Sequence, residues 1–444
     1  MNADERESQF RQMRKTAREI FRFALQEASI AKAFERHVHC ERGVLRICED
    51  LYELQSYSRF LVVSIGKAGH TMAEALARQV GESFFGASLD GIVATSVDAP
   101  AQVRGFRYFR GGHPTPNAES IQAASSILKG LDAQTAASLV IFMISGGGSS
   151  IVEKPIDDEV SLQDLIATYR ALVLSGAPIA EINAIRKHLS LVKGGRLARA
   201  AFPAQQVSLL VSDVPDATPD ALASGPTMPD STNVEDCYRI AEKHGLAEQL
   251  PHSTRELFER RALEETPKSD DESFYRSRWW TLLSNQTAME QAKVAAESAG
   301  FTVHVDNSCD DWDYEDTAAH LLKRLRELRK ESGRVCLLSG GEVTVKVTGD
   351  GVGGRNQQFA LACAAQIAGE NITVLSAGTD GVDGNSPAAG AVVDGTTLLR
   401  AQGLDPAAVL KKFDAYPFFS ALGDSIETGP TGNNLRDLRI LLAY

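Results

Sequence analysis

From Gln9 to Ala33 apolar side chains recur at three- and four-residue spacing, with Phe10, Met13, Ala17, Ile20, Phe21, Ala24 and Leu25 on one stripe. This spacing predicts an amphipathic helix with a scaffold role. Beyond it, short apolar runs alternate with helical periodicity. Leu61 to Ile65, Gly91 to Ser96, Ser138 to Ile144 and Val207 to Ser212 read as buried strands, with helices near Thr71 to Arg78, Ser120 to Leu131 and Leu162 to Leu174 between them. Strands that are apolar at every position, separated by helices, predict a parallel sheet covered on both faces.

The stretch Glu264 to Glu272 is rich in acids and reads as a solvated linker, which places a domain boundary there: residues 1–270 and 271–444. A second alternation follows. It predicts strands at Trp280 to Leu283, Phe301 to Val305, Val335 to Ser339, Val343 to Val347, Thr373 to Ser376 and Leu438 to Leu442, with helices at Ala288 to Ser298 and Thr317 to Lys330. Two α/β domains are therefore expected.

A chain of 444 residues has ample material for two cores, and a net charge of -12 argues against a nucleic-acid or anionic-lipid partner. The six cysteines form no CxxC pair or metal cluster, and there is no apolar run of membrane-spanning length. A cytoplasmic protein acting on a small molecule is expected, with self-association left open.

The 36 glycines carry the chemical signal. Most fall where apolar strands end, where backbone N–H groups and helix starts favour anions. Gly66-Lys67-Ala68-Gly69 follows one strand. Another, Val140 to Ile144, ends in Ser145-Gly146-Gly147-Gly148-Ser149-Ser150, whose glycines let the backbone curl into an anion-binding nest. Arg186, Lys187, His188, Lys193 and Arg196 concentrate positive charge in an acidic chain, and Asp213 closes a further apolar strand. In the second half stand Glu342, the run Gly349 to Asn356, and Asp380 and Asp383 within a glycine turn. Gly349, Gly351 and Gly354 satisfy GxGxxG before a helix starting near Gln357, but the acid a dinucleotide fold needs about 20 residues on is missing. A Walker A loop is excluded, because Leu61 and Ala68 stand at two of its required positions. Cations, nests and scattered acids suit phosphoryl transfer, which needs positioning and charge neutralisation more than covalent chemistry. His113 and His188 are further proton-transfer candidates.

The ordered blocks IGKAG (65–69), GGHPTPN (111–117), SGGGSS (145–150), NAIRKHLSLVKGGRLA (183–198), SDVP (212–215), ASGPT (223–227), LSGGE (338–342), GGRNQ (353–357) and GTDGVDG (378–384) resemble the glycerate 2-kinase family with a MOFRL C-terminal domain, also labelled hydroxypyruvate reductase. The resemblance implies a Rossmann-like N-terminal domain, a smaller α/β MOFRL-type domain, an active site in the cleft between them, and ATP- and Mg2+-dependent phosphorylation of D-glycerate on its 2-hydroxyl. It matches Lys67 to the family's essential lysine, Asp213 to the aspartate acting on the hydroxyl and Arg355 to a cleft arginine. Together with the residue patterns it assigns Gly66, Ser145, Gly146, Gly147, Gly148, Ser149, Ser150 and Lys193 to the nucleotide, and His113, Arg186, Arg196, Glu342, Asn356 and Asp380 to the substrate. Asp213 and Asp380 are the metal candidates. An NAD(P)H-dependent hydroxypyruvate reductase is the rival. The chain departs from the family pattern at Asp216-Ala217, Asn117 and Asn433.

Overall fold

The computed structural model describes residues 3–81, 89–99 and 101–444. The chain divides into two compact units, Ala33–Leu282 and a discontinuous one of Met1–Lys32 with Leu283–Tyr444.

The larger unit is built on a six-stranded sheet ordered Phe106–Arg110, Leu89–Thr95, Arg59–Ile65, Ser138–Ser145, Gln205–Val211 and Ser277–Leu283. The first five pair in parallel. Counted along the unit this is 3-2-1-4-5-6, the order of Rossmann sheets. The all-apolar runs are explained by double coverage: Val63, Ile65, Val140 and Phe142 pack with Ala123, Ile127 and Leu197 in one core. The predicted strands and the helices Gly69–Val80, Ala118–Asp132 and Leu162–Leu174 are all present. A small antiparallel sheet, Val38–Glu41, Val44–Ile47 and Asp50–Glu53, was not foreseen, because four-residue strands carry too little pattern.

The smaller unit carries a mixed sheet ordered Thr302–Val305, Val335–Gly341, Asp437–Ala443, Ile372–Gly378, Gly390–Asp394 and Ser425–Ile426. Only its first pair is parallel. One face packs on the helices Tyr314–Arg329 and Arg355–Gln366, and the other on Asn285–Ser298 and the N-terminal helix Ala3–Glu27.

Three expectations are corrected. First, the amphipathic stripe of 9–33 is broken at Ala28-Ser29, and a second helix, Ile30–His37, follows. Second, the division does not fall at 270/271. Met13, Ala17, Ile20 and Phe21 bury against Leu375, Leu438 and Ile440, so the N-terminal helix belongs to the C-terminal unit. The acidic stretch 264–272 is docked rather than free: Glu264 pairs with Arg196, Glu265 with His188 and Lys268, and Asp271 with Arg199. Third, 343–347 is not a strand; its one bridge joins Thr344 to Asp313.

Replacing Phe21 with Ala should cost about 3–5 kcal/mol through the cavity it leaves. Hydrogen exchange should quicken in Ile372–Gly378 and Asp437–Ala443 while Arg59–Ile65 stays protected; equal loss in both sheets would contradict the division.

Candidate active site

Strand order in the parallel sheet reverses between Arg59–Ile65 and its neighbour Ser138–Ser145, and ligands of open α/β sheets bind at such a switch point. Both lysine and glycine loops leave the sheet there. Gly66 N–H donates to the Ala94 carbonyl (3.0 Å) and Lys67 N–H to the Gly146 carbonyl (2.9 Å). The buried Ser145 hydroxyl accepts from Ala68 N–H (3.1 Å) and donates to the Ile65 carbonyl (3.3 Å), tying one loop to the other. Gly66 is obligatory: its φ is +118°, and a Cβ would lie 2.3 Å from Ser145 Oγ.

The same crowding brings the reactive side chains together. A Cβ on Gly146 would stand 1.9 Å from Asp213 Oδ2, so the carboxylate at the end of Gln205–Val211 lies directly against the glycine backbone. A Cβ on Gly147 would lie 3.2 Å from both Lys67 Cγ and His113 Nδ1. Lys67 is exposed, and no carboxylate ion-pairs with it among the described residues. His113 Nδ1 is 3.1 Å from Ser150 Oγ, and burial, aided by the Lys67 charge, holds the imidazole below its usual pKa. Ser149 Oγ meets Ser224 Oγ at 2.8 Å on a turn where both Ala223 and Ser224 have positive φ. The loop thus brings an exposed ammonium, an imidazole whose pKa is held down and an aspartate around backbone stripped of side chains.

Other assigned cations are internal. Lys193 is fully buried, donating to Glu153, whose carboxylate also takes Tyr169 OH and Ser190 Oγ (2.6 Å). It is a structural ion pair and not a nucleotide contact. Arg196 is buried on Glu264, both its carboxylate (3.2 Å) and its carbonyl (3.0 Å), which removes it from the substrate set. Lys187 joins Asp220 and Asp230, and His188 is enclosed between the Ala184 carbonyl and Glu265. Ser145 is consumed by the loop it braces. Arg186 differs: its guanidinium stacks over Tyr169 at 4.8 Å, and its buried Nε has no hydrogen-bond partner. Asn117 caps Ala118–Asp132, and Asn433 binds the Ala28 carbonyl, so both departures from the family pattern have structural duties.

In the smaller unit Arg355 opens the helix Arg355–Gln366 between two acids. Asp437 takes Nε and Nη2 (2.7 and 3.1 Å) and Glu342 takes Nη1 and Nη2 (3.0 and 2.7 Å). Burial would lower the Arg355 pKa, but Asp437 and Glu342 outweigh it and hold it above the guanidinium norm. Burial pushes Glu342 up despite the arginine. Asp310 accepts from Glu342 N–H (2.9 Å) and a two-pronged pair from Arg436, fixing the bracket from behind. Asn356 is not a substrate contact: buried, it accepts from Ser376 Oγ (2.6 Å) and faces Asp383. Asp383 accepts from the Asn356 and Gln357 N–H groups (3.0 and 2.9 Å); burial pushes it up to about 6. Asp380 accepts from Val382 N–H and lines a cavity with Arg355. Among the described residues no group of three or more His, Cys, Asp or Glu is arranged for a metal.

Sequence patterns missed Asp437, Asp310 and Glu153. Asp437 had a readable signal, since it opens an apolar strand as Asp213 follows one; the other two sit in unremarkable surroundings.

Lys193→Met should destabilise the fold by about 3–5 kcal/mol, because it leaves Glu153 buried and unpaired. A thermal melt unchanged from the native protein would contradict that role. Lys67→Met should raise the His113 titration midpoint toward its ordinary value, since it removes a positive neighbour; an unmoved imidazole resonance profile in NMR would separate the two side chains.

Residues 16–259 match the model for a domain of unknown function, DUF4147, and residues 335–437 match the MOFRL family. The D-glycerate 2-kinase of Thermotoga maritima is 37% identical over 86% of this chain and 90% of its own. The glycerate 2-kinase of Pyrococcus horikoshii is 34% identical over 88% of each. A putative hydroxypyruvate reductase of Agrobacterium vitis is 36% identical over 86% of this chain and 87% of its own. The crystal structure of the Thermotoga maritima glycerate kinase superposes with a TM-score of 0.85 at 32% identity, covering 98% of this chain and 100% of the other. With both halves matched in order and full-length relatives above 30% identity, the chain belongs to the glycerate kinase family.

Proposed function

We propose that the protein is an ATP-dependent glycerate 2-kinase, carrying a phosphoryl group to the 2-hydroxyl of D-glycerate to give 2-phosphoglycerate. The observation that carries this is the unpaired Lys67 ammonium beside the Ser145–Ser150 loop, with Asp213 against the loop's glycine backbone. Phosphoryl transfer spreads negative charge over the moving group, and a fixed ammonium with main-chain donors stabilises it without reorganisation. In this reading Asp213 takes the acceptor hydroxyl's proton and His113, its pKa held below the usual value by burial, holds the acceptor by hydrogen bonding. Arg186 is the guanidinium assigned to anionic oxygens, while Arg355, its charge offset by Asp437 and Glu342, is assigned to directing a hydrogen bond.

Mg2+ on a nucleotide keeps phosphate oxygens and water as ligands and needs only one or two protein carboxylates, so it does not require a cluster of three or more ligating side chains, of which there is none among the described residues. Asp213 would hold it at the glycine loop, with Asp380 the candidate in the other unit; when bound, the ion neutralises phosphate charge. The six unpaired cysteines suit a reducing cytoplasm.

The reductase alternative loses its motif. No strand runs directly into Gly349, residues 345–348 being irregular, and the first helix amides after Gly354, where a pyrophosphate would sit, are occupied by Asp383.

Purified protein with D-glycerate, ATP and Mg2+ should yield ADP and a product whose phosphorus couples to the C2 proton in NMR. Lys67→Met should lower kcat by about 100- to 1000-fold with an unchanged melting temperature. Oxidation of NADH by hydroxypyruvate, without ADP formation, would reverse the conclusion.

A further inference from the structure

In the smaller unit a cavity of about 600 Å3 lies beside Arg355, lined by Val345, Val347, Val382, Phe413, Asp350 and Asp380 together with the glycine run from Gly349 to Gly354. A three-carbon acid would rattle in this volume, which falls in the range of sites for larger ligands. Its electrostatics also argue against an acid. The one cation in the lining, Arg355, is already offset by Asp437 and Glu342, while Asp350, Asp380 and Asp383 add negative field. The helix start that could have held a phosphate is capped by Asp383 through the Asn356 and Gln357 amides. An anionic group is therefore disfavoured here.

What remains is apolar surface and acceptors. Val347 is 66% exposed and Val382 43% exposed on the cavity wall, so apolar side chains are held in solvent where a flat ring could cover them. The exposed Asp350 carboxylate can only accept, and ribose hydroxyls donate. The wall is fixed before any ligand arrives: Asn385 accepts from Gly353 N–H (2.9 Å) and donates to the Gly351 carbonyl (3.1 Å), while Gly351 N–H reaches the Lys412 carbonyl (3.1 Å) and Val352 N–H reaches Asp414 (3.0 Å).

We infer that this cavity receives the nucleoside moiety of the phosphoryl donor, base against Val345, Val347, Val382 and Phe413, ribose hydroxyls on Asp350. It rests on the kinase function proposed above, and it moves the cavity from the acceptor to the donor.

Val347→Asp and Val382→Asp alter exposed side chains and should leave the fold intact. In calorimetry each should weaken ADP binding by about tenfold, or 1.4 kcal/mol, while binding of tripolyphosphate, which lacks a nucleoside, stays the same. In turnover the KM for ATP should rise with the KM for glycerate unmoved. Unchanged ADP affinity in both variants, or a rise confined to the glycerate KM, would overturn the inference. A native protein that binds ADP but never phosphorylates glycerate would remove the proposed substrate and still leave the ADP comparison decisive.

Discussion

The Ser145 hydroxyl, bonded to Ala68 N–H and the Ile65 carbonyl, ties together two loops that belong to separate crossovers of the parallel sheet. Without it the lysine turn and the triple-glycine turn would lose one of the hydrogen bonds that join them. With it, and with Lys67 N–H on the Gly146 carbonyl, they form one rigid lip at the point where strand order reverses. Twisted parallel strands splay at that point and leave a crevice at their C-terminal ends. The absence of side chains at 146–148 then lets Asp213, Lys67 and His113 approach the same stretch of backbone. The chemistry depends on what was removed from the loop as much as on what was placed around it.

This explains which parts of the site were legible in sequence. All-apolar runs ending in glycine mark the C-terminal ends of buried strands, and the ligand end of a doubly wound sheet follows from topology alone. That Lys67, the glycine loop and Asp213 meet at one end of the sheet was therefore readable. The cations of 187–196 were not, because a lysine's letter does not say whether its partner is a ligand or a carboxylate from elsewhere in the chain. Glu153, Glu264 and Glu265 claim Lys193, Arg196 and His188 from 40 or more positions away in sequence, beyond the reach of any local pattern. Each such buried charge demanded a countercharge, and the acidic stretch that looked like a linker supplied two of them.

The division of the chain was hidden for a related reason. The stripe from Phe10 to Ala24 announces a helix needing a partner but cannot name it, and the partner is a sheet face more than 280 residues downstream. Val343 to Val347 shows the converse. Alternating β-branched residues met the strand pattern, yet only Thr344 found a bridge, and Val345 and Val347 became cavity wall. Period two reports a residue's two faces, not whether a neighbouring strand is available.

Arg355 shows how the second unit handles charge differently. Lys67 is exposed with no ion-paired carboxylate among the described residues, whereas Arg355 is bracketed by Glu342 and Asp437, with Asp310 and Arg436 holding the bracket. A guanidinium so enclosed cannot supply much net charge, but its orientation is fixed by two carboxylates and its protonation is secured. Such a group is suited to aim a donor at one defined oxygen rather than to attract an anion from solution. The contrast follows from the partners: Lys67 is an exposed ammonium on the glycine lip, whereas the acids around Arg355 have already offset its charge.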